Sequence, residues 1–311
     1  MSKTAFIFPG QGSQYVGMGK DFYDNSDRAR EIFALASECG GLDVEKLCFE
    51  EDQENRINIT EYTQIAMLAH EAVALEAVKE RGVACQAAAG LSLGEYGALL
   101  ASGVLELADA FSLIRKRGIY MQEAYPQGGG MSAILGLDGE TVAQVCSSVQ
   151  KETQKPVSVA NYNCPGQIVI TGDLDAVTKA GEQLSSAGAK KVVPLKVSGP
   201  FHSELLQDAA DRLMEALSEV ELRDPVVPYI TNVTADYVRE CSGTKELLAR
   251  QVCSPVRWQQ SVERLLADGF DTFVEIGPGK TLAGFMKRID KTVRVINIDK
   301  YEDLGRLDEI L

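Results

Sequence analysis

Hydrophobic positions in this chain fall into short unbroken runs and longer periodic stripes, and the two alternate. Ala5–Phe8 is four consecutive apolar residues closed by Pro9-Gly10, the pattern of a strand buried on both faces. Ile65, Leu68, Ala69, Ala72, Val73 and Leu75 recur at helical spacing and predict a helix over Thr63–Lys79 that ends near Gly82. Val83–Ala89 is a second short apolar run, followed by a helical pattern over Glu95–Ala101. Another helix is expected over Ala108–Glu123, closing at Pro126 and the glycines at 128–130.

Beyond the triple glycine the rhythm tightens. Met131–Leu135, Val157–Ala160, Gln167–Thr171 and Lys191–Val197 read as strands, with helices over Glu140–Gln150 and Asp175–Ala187. That order, βαββαβ, is the ferredoxin-like arrangement. Glycines on both sides mark it as a unit inserted into the chain. The first rhythm then resumes. A helix is expected over Glu204–Glu219, a strand over Val226–Thr231, and a helix opened by Ser254-Pro255, a cap followed by a favoured first residue. Strand Thr272–Ile276, helix Leu282–Arg288 and strand Val293–Ile298 complete the chain. Alternating strands and helices imply a parallel sheet covered on both faces. The expected fold is α/β, with residues 1–127 and 199–311 forming a discontinuous core and residues 128–198 an inserted subdomain.

Composition narrows the function. The 311 residues are 45% hydrophobic and 24% charged, as in an ordinary folded protein, which excludes disorder and fibrous classes. A formal net charge of -14 argues against a general nucleic-acid binder. No stretch approaches the roughly 20 apolar residues of a membrane span. The opening segment is too short in its apolar run for a signal peptide. The seven cysteines are an odd number with no Cys-x-x-Cys pair, so a metal site or disulfide framework is not expected and a cytoplasmic location is. The sequons at Asn58 and Asn232 are then chance matches.

The clearest chemical signal is Gly90-Leu91-Ser92-Leu93-Gly94, a Gly-x-Ser-x-Gly between an expected strand and an expected helix. A sharp strand-to-helix turn leaves no room for side chains beside it, so small residues must flank the serine. Its hydroxyl is then exposed over a helix N-terminus, where the Leu93 amide can stabilise an oxyanion. Such a serine needs a base. The chain has only two histidines. His70 lies mid-helix beside Glu71 and reads as a packing residue. His202 follows Gly199-Pro200-Phe201 in a loop leaving a strand, where catalytic groups are usually carried, and is the favoured base. No acid stands in a distinctive position. Glu204 and Asp208 both fit an exposed first helical turn, so a dyad oriented by a backbone carbonyl or an amide side chain is the alternative to a triad. Of Arg115-Lys116-Arg117, one or two can share a helix face, and an inward arginine could clamp a carboxylate. Periodicity does not choose between them. Met18, Met67, Met121 and Met131 read as core packing.

Taken together these segments resemble the malonyl-CoA:acyl carrier protein transacylases and, more distantly, the acyltransferase domains of polyketide synthases. The resemblance rests on Phe8-Pro-Gly-Gln-Gly-Ser-Gln14, Gly90-Leu-Ser-Leu-Gly-Glu-Tyr96, Arg117-Gly118, Asn163-Cys-Pro-Gly-Gln167, Gly199-Pro-Phe-His202, Gln251 and Glu275-Ile-Gly-Pro-Gly-Lys280. It implies an α/β-hydrolase-like core with a ferredoxin-like insertion. It also implies that Ser92 is acylated, that His202 is its base, and that the main-chain carbonyl of Gln251 holds the imidazole. Gln11 and Leu93 would supply the oxyanion amides, and Arg117 would bind the malonyl carboxylate. Phe201 would crowd an α-methyl group and so favour malonyl. Leu91 departs from the histidine the family often has before its serine.

The implied activity is ping-pong transfer of malonyl from malonyl-CoA to the phosphopantetheine thiol of an acyl carrier protein, supplying fatty acid synthesis. No metal or bound cofactor is implied, no nucleic-acid or membrane partner is expected, and a monomer is. A serine hydrolase or thioesterase would share Ser92 and His202. A non-catalytic carrier-binding module is the third reading. Carrier docking is expected at the basic cluster Lys280, Lys287, Arg288, Lys291 and Arg294, with Lys190 and Lys191 near the cleft.

Overall fold

Ten strands in two sheets organise the computed structural model, which describes residues 2–197 and 199–311. The strands are β1 (Thr4–Phe8), β2 (Ala87–Gly90), β3 (Gly129–Leu135), β4 (Val157–Cys164), β5 (Gln167–Asp173), β6 (Lys191–Pro194), β7 (Tyr229–Ile230), β8 (Tyr237–Val238), β9 (Thr272–Ile276) and β10 (Arg294–Ile298). The larger sheet runs β10-β9-β1-β2-β7-β8. Its first five members pair in parallel and β8 joins β7 antiparallel at the edge.

Two-sided burial explains the unbroken apolar runs. Phe6, Phe8, Ala88 and Val274 face one hydrophobic cluster, while Ala5, Ile7, Ala87, Ala89 and Phe273 face the other. Every residue of β1 after Thr4 is therefore buried, and the period-2 alternation separates two cores rather than a core from water.

The smaller sheet runs β4-β5-β3-β6, wholly antiparallel. Helices Gly139–Thr153 and Leu174–Ser186 pack on it over Ile134, Val142, Ile170 and Leu184. The observed order is βαββαβ, as expected. Main-chain bonds tie β4 to the extended segment before helix Trp258–Ala267: Val256 N–H donates to Ala160 and Tyr162 N–H donates to Val256, at 2.8 and 2.9 Å. Ser198, the last residue of the expected insertion, lies outside the described residues.

Several elements differ from the sequence reading. The helix expected from Ser254-Pro255 begins at Trp258, with Arg257 at its N-cap and no side-chain cap, because Val256 is held extended against β4. The strand expected over Val226–Thr231 shortens to Tyr229–Ile230: Pro228 just before it cannot donate, and Val226 is 81% exposed. β6 ends at Pro194 rather than Val197. Helix Gln207–Ser218 is preceded by a separate 3-10 turn, Glu204–Leu206. Helices Asp27–Gly40, Val44–Phe49 and Thr244–Val252 were not anticipated. The first two carry ordinary caps, Ser26 and Asp43, whose side chains accept main-chain bonds from Ala29 and Lys46.

Candidate active site

The turn after β2 is built by steric exclusion. A Cβ on Gly90 would lie 1.9 Å from the Gly94 oxygen, and one on Gly94 would lie 2.3 Å from the Phe8 oxygen. Only glycine lets the helix start at Gly94 fold back this closely over the strand end. Ser92, at the apex, is left with φ 56°. A left-handed serine costs about 1–3 kcal/mol and persists only where its surroundings impose it. Its main chain is held from both sides: Ser92 N–H donates to Asn232 Oδ1 at 2.7 Å, and Gln251 Nε2 donates to the Ser92 oxygen at 2.9 Å.

His202 reaches this serine from 110 residues further along the chain. It also has positive φ, 61°, and its ring is buried. Nε2 lies 2.8 Å from Ser92 Oγ and Nδ1 lies 2.8 Å from the main-chain oxygen of Gln251. A carbonyl can only accept, so Nδ1 carries the proton and Nε2 presents its lone pair to the hydroxyl. Burial, followed by the nearby Arg117 guanidinium, lowers the His202 pKa to about 4. The imidazole is thus neutral at pH 7 and able to take a proton. Gln251 sits in the last turn of helix Thr244–Val252. No acid among the described residues hydrogen-bonds the imidazole; Glu204, in the 3-10 turn that follows, and Asp208, in the next helix, are both exposed.

Arg117 is the charged member of the group. It is 1% exposed and projects from helix Leu107–Ala124. One terminal nitrogen donates to Gln64 Oε1 at 2.6 Å; the other donates to Gln251 Oε1 at 2.8 Å and to Ser92 Oγ at 3.2 Å. Its Nε has no partner among the described residues. Every acceptor on this guanidinium is neutral. The guanidinium feels the charge of Glu95 but makes no hydrogen bond to it; Gln251 links the two, its Nε2 donating to Glu95 Oε2 at 2.7 Å. Burial raises the Glu95 pKa to about 7. A buried cation with neutral partners beside a nucleophile is a binding site for an anion. The neighbouring Arg115 turns the other way, to the main-chain oxygen and carboxylate of Glu61, and settles the choice that periodicity left open.

These groups line a cavity of about 190 Å³ between the two sheets. Ser92, His202, Arg117, Gln11, Leu93 and Phe201 all border it. Neither the Gln11 nor the Leu93 main-chain amide has an acceptor among the described residues. Gln251 stands behind the wall and holds three of the lining residues, Ser92, His202 and Arg117. Leu91 also borders the cavity and packs against Gly10. His70 does not: it is fully buried, edge-on to Phe22 and 4.0 Å from Asp299. Met121 and Met131, read as core packing, line the cavity as well.

The arrangement can carry out nucleophilic acyl transfer on an acid that bears a second carboxylate. The chain itself matches the model of the acyl transferase domain over residues 5–309. The chain belongs to the acyl transferase domain family.

Among similar acyl transferase domains is the malonyl CoA-acyl carrier protein transacylase of Bacillus subtilis (strain 168), 45% identical over 305 residues, covering 98% of this chain and 96% of that protein. The protein of the same name from Staphylococcus aureus (strain MRSA252) is 41% identical over 310 residues, 99% of each chain. Among solved structures, the malonyl CoA-acyl carrier protein transacylase of Clostridium perfringens superposes with a TM-score of 0.94 at 41% identity, covering 99% of this chain and 97% of that one. A type II PKS acyl-carrier protein in complex with its malonyl-transacylase superposes with a TM-score of 0.95 at 38% identity over the whole of both chains. The resemblance read from the sequence motifs is borne out. What the motifs did not single out in this acyl transferase domain are the amide side chains of Gln64 and Asn232 and the buried Glu95, which hold Arg117 and the turn in place.

Proposed function

We propose that this acyltransferase moves a malonyl group from malonyl-CoA to the phosphopantetheine thiol of an acyl carrier protein, through a malonyl ester of Ser92, and so supplies fatty acid synthesis. The observation that carries the reading is the meeting of a neutral imidazole and a buried guanidinium on one serine, with Arg117 3.2 Å from Ser92 Oγ. A carboxylate on that guanidinium stands only a short chain away from a carbonyl on the serine, which suits an acyl group with one methylene between them.

In the first half-reaction Ser92 Oγ attacks the thioester carbonyl while His202 Nε2 takes the hydroxyl proton. The main-chain amides of Gln11 and Leu93 receive the oxyanion. The C–S bond then breaks, His202 returns the proton to the departing CoA sulfur, and the malonyl ester remains. In the second half-reaction the carrier thiol gives its proton to His202, its sulfur attacks the ester, and Ser92 Oγ leaves with that proton. Arg117 holds the carboxylate throughout. Phe201, 6% exposed on the cavity wall, limits branching beside the ester; one methyl is worth about 1–3 kcal/mol of discrimination.

The CoA thioester is a substrate and phosphopantetheine arrives on the partner, so the proposed reaction uses no resident cofactor. We take residues 128–198 as a subdomain inserted between 1–127 and 199–311, with the cavity at its junction. The carrier docks on helix Thr281–Ile289, whose Phe285 lines the cavity and whose last turn bears Lys287 and Arg288. No helix of the described residues is long and apolar enough to cross a membrane. We take the enzyme to act in the cytoplasm as a monomer.

The test is intact-mass measurement after mixing with malonyl-CoA. A malonyl adduct on the wild type and none on Ser92→Ala is the expected result, and label persisting on the variant overturns the serine assignment. Free malonate released at the same rate with and without carrier would show hydrolysis instead.

A further inference from the structure

We propose that Asn232 is a positioning residue for the nucleophile: its carboxamide clasps the turn on both sides of Leu91 and fixes Ser92 in its left-handed conformation. The inference rests on the malonyl-transfer reading for the reaction it serves. The geometry stands in the turn itself. Asn232 Oδ1 accepts the Ser92 N–H at 2.7 Å and Asn232 Nδ2 donates to the Gly90 oxygen at 2.6 Å. Both partners have obligate roles, one a donor and one an acceptor, so the orientation of the carboxamide is fixed.

The placement follows from the sheet. β2 and β7 pair as Ala88 with Tyr229 and Ala89 with Ile230, and the ladder stops there. β2 ends at Gly90 and the chain turns sharply away. Two residues beyond β7, the Asn232 side chain stands where the next main-chain rung would be. A carboxamide carries the same donor and acceptor as a peptide unit, so it continues the ladder past the point where backbone pairing ends. A shorter hydroxyl could not span Gly90 and Ser92, and a carboxylate lacks the donor.

Asn232 is itself held. It is 1% exposed. Its N–H donates to Glu95 Oε2 at 3.1 Å, its carbonyl accepts from Arg257 at 3.0 Å, and Gln251 Nε2 approaches its Oδ1 at 3.3 Å. Glu95 thus accepts from both Asn232 and Gln251, the two residues that fasten the nitrogen and the oxygen of Ser92. Because the Ser92 N–H is engaged by Asn232, it is not free for an oxyanion. Asn232 does not border the cavity. Its loss should therefore change the reactivity of Ser92 and leave substrate affinity alone.

The experiment compares Asn232→Ala and Asn232→Asp with wild type by three readouts: the single-turnover rate of CoA release at saturating malonyl-CoA, the half-saturating malonyl-CoA concentration, and the rate at which a fluorophosphonate labels Ser92. Circular dichroism sets the folded fraction. In Asn232→Ala we expect saturated CoA release and labelling both to slow roughly 100-fold, as for a misplaced reacting atom, with half-saturation within about twofold. Asn232→Asp keeps the acceptor for Ser92 and loses the donor to Gly90, and is expected to fall between. If Asn232→Ala does not fold, Asn232→Asp decides by the same readouts. Both rates within about threefold of wild type in the folded variant, or a loss carried by half-saturation, overturn the proposal. Failure of both variants to fold also overturns it, since the residue then holds the domain and not the nucleophile. A wild type that takes the fluorophosphonate on Ser92 but forms no ester from malonyl-CoA overturns the malonyl reading instead, and the labelling rates still decide the role of Asn232.

Discussion

His202 gives its Nδ1–H to the main-chain oxygen of Gln251, at 2.8 Å, and thereby turns Nε2 toward Ser92. The acceptor is a peptide carbonyl, which orients the ring and fixes its tautomer without adding a formal negative charge. Burial, and then the nearby Arg117, outweigh the opposing pull of the Gln251 and Ser254 main chain and lower the imidazole pKa to about 4. A carboxylate in the same place would raise it.

The pH dependence of acylation follows from that sign. The working form of His202 is the neutral one, so the rate of ester formation should stay level through neutrality and fall only as the pH approaches about 4. An unperturbed imidazole would place the same fall near about 6.5. Single-turnover CoA release across this range checks it, and an acid limb near the ordinary histidine value would show that burial and Arg117 do not act on the ring as stated. His202→Ala should lower the rate by roughly 10²–10⁴-fold, the usual worth of a positioned base.

Arg117 is predicted to act twice. As the carboxylate clamp, its replacement by alanine should cost about 3 kcal/mol of charge-assisted bonding, roughly 100-fold in kcat/KM for malonyl-CoA, with much less effect on acetyl-CoA. As the second cause of the depressed His202 pKa, its removal should move the acid limb of acylation upward. Admitting water to the space it leaves acts in the same direction. An Arg117→Ala protein that kept its full preference for malonyl over acetyl would rule out the clamp.

How far the sequence could be read follows the range of each signal. The Gly90 to Gly94 turn is local: the strand before it, the helix after it and the two glycines lie within a few residues, and the steric reason for each is visible in the spacing. Helix Thr60–Glu80 was legible only in part. It is buried on nearly all sides, so polar Gln64, His70 and Glu71 interrupt a stripe that the fold does not in fact confine to one face. Gln64 carried no pattern, Asn232 stood out only as a chance sequon, and Glu95 lay within the Gly90 to Tyr96 motif without a role of its own. Each earns its place through partners brought from distant segments, and an amide at a strand end has no spacing that distinguishes it from a surface loop. Periodicity did not choose between Arg115 and Arg117; the resemblance pointed to Arg117, and the physical reason is seen only in the fold, where Glu61 takes Arg115.

The basic end of helix Thr281–Ile289 makes a separate prediction. Lys287 and Arg288 lie in its last turn, one turn beyond Phe285 at the cavity. Reversing both charges should slow transfer to the carrier about tenfold at low salt and flatten its salt dependence, because complementary charge acts mainly on encounter. Transfer rates measured over a salt series with a fixed amount of preformed acyl-enzyme isolate this step. Unchanged rates and salt dependence would remove the patch from the docking surface.

Glu71 offers a stability test independent of catalysis. Its carboxyl is fully buried under Phe8 and Gly97, with no hydrogen-bond partner among the described residues. Burial pushes its pKa well above 4.5. In the unfolded chain the group ionises near that ordinary value, while in the folded protein it keeps its proton. Between the two values the folded state therefore binds more protons, and stability falls by about 1.4 kcal/mol per pH unit as pH rises. Glutamine in the same place cannot ionise and removes this slope. Glu95 and Glu275, also raised to about 7, and His70, lowered to about 4, titrate in both proteins and cancel in the comparison. The melting temperature of Glu71→Gln minus that of wild type should thus grow steadily as pH rises above about 4.5. A constant offset across that range would mean that the Glu71 carboxylate is solvated or paired in the folded protein.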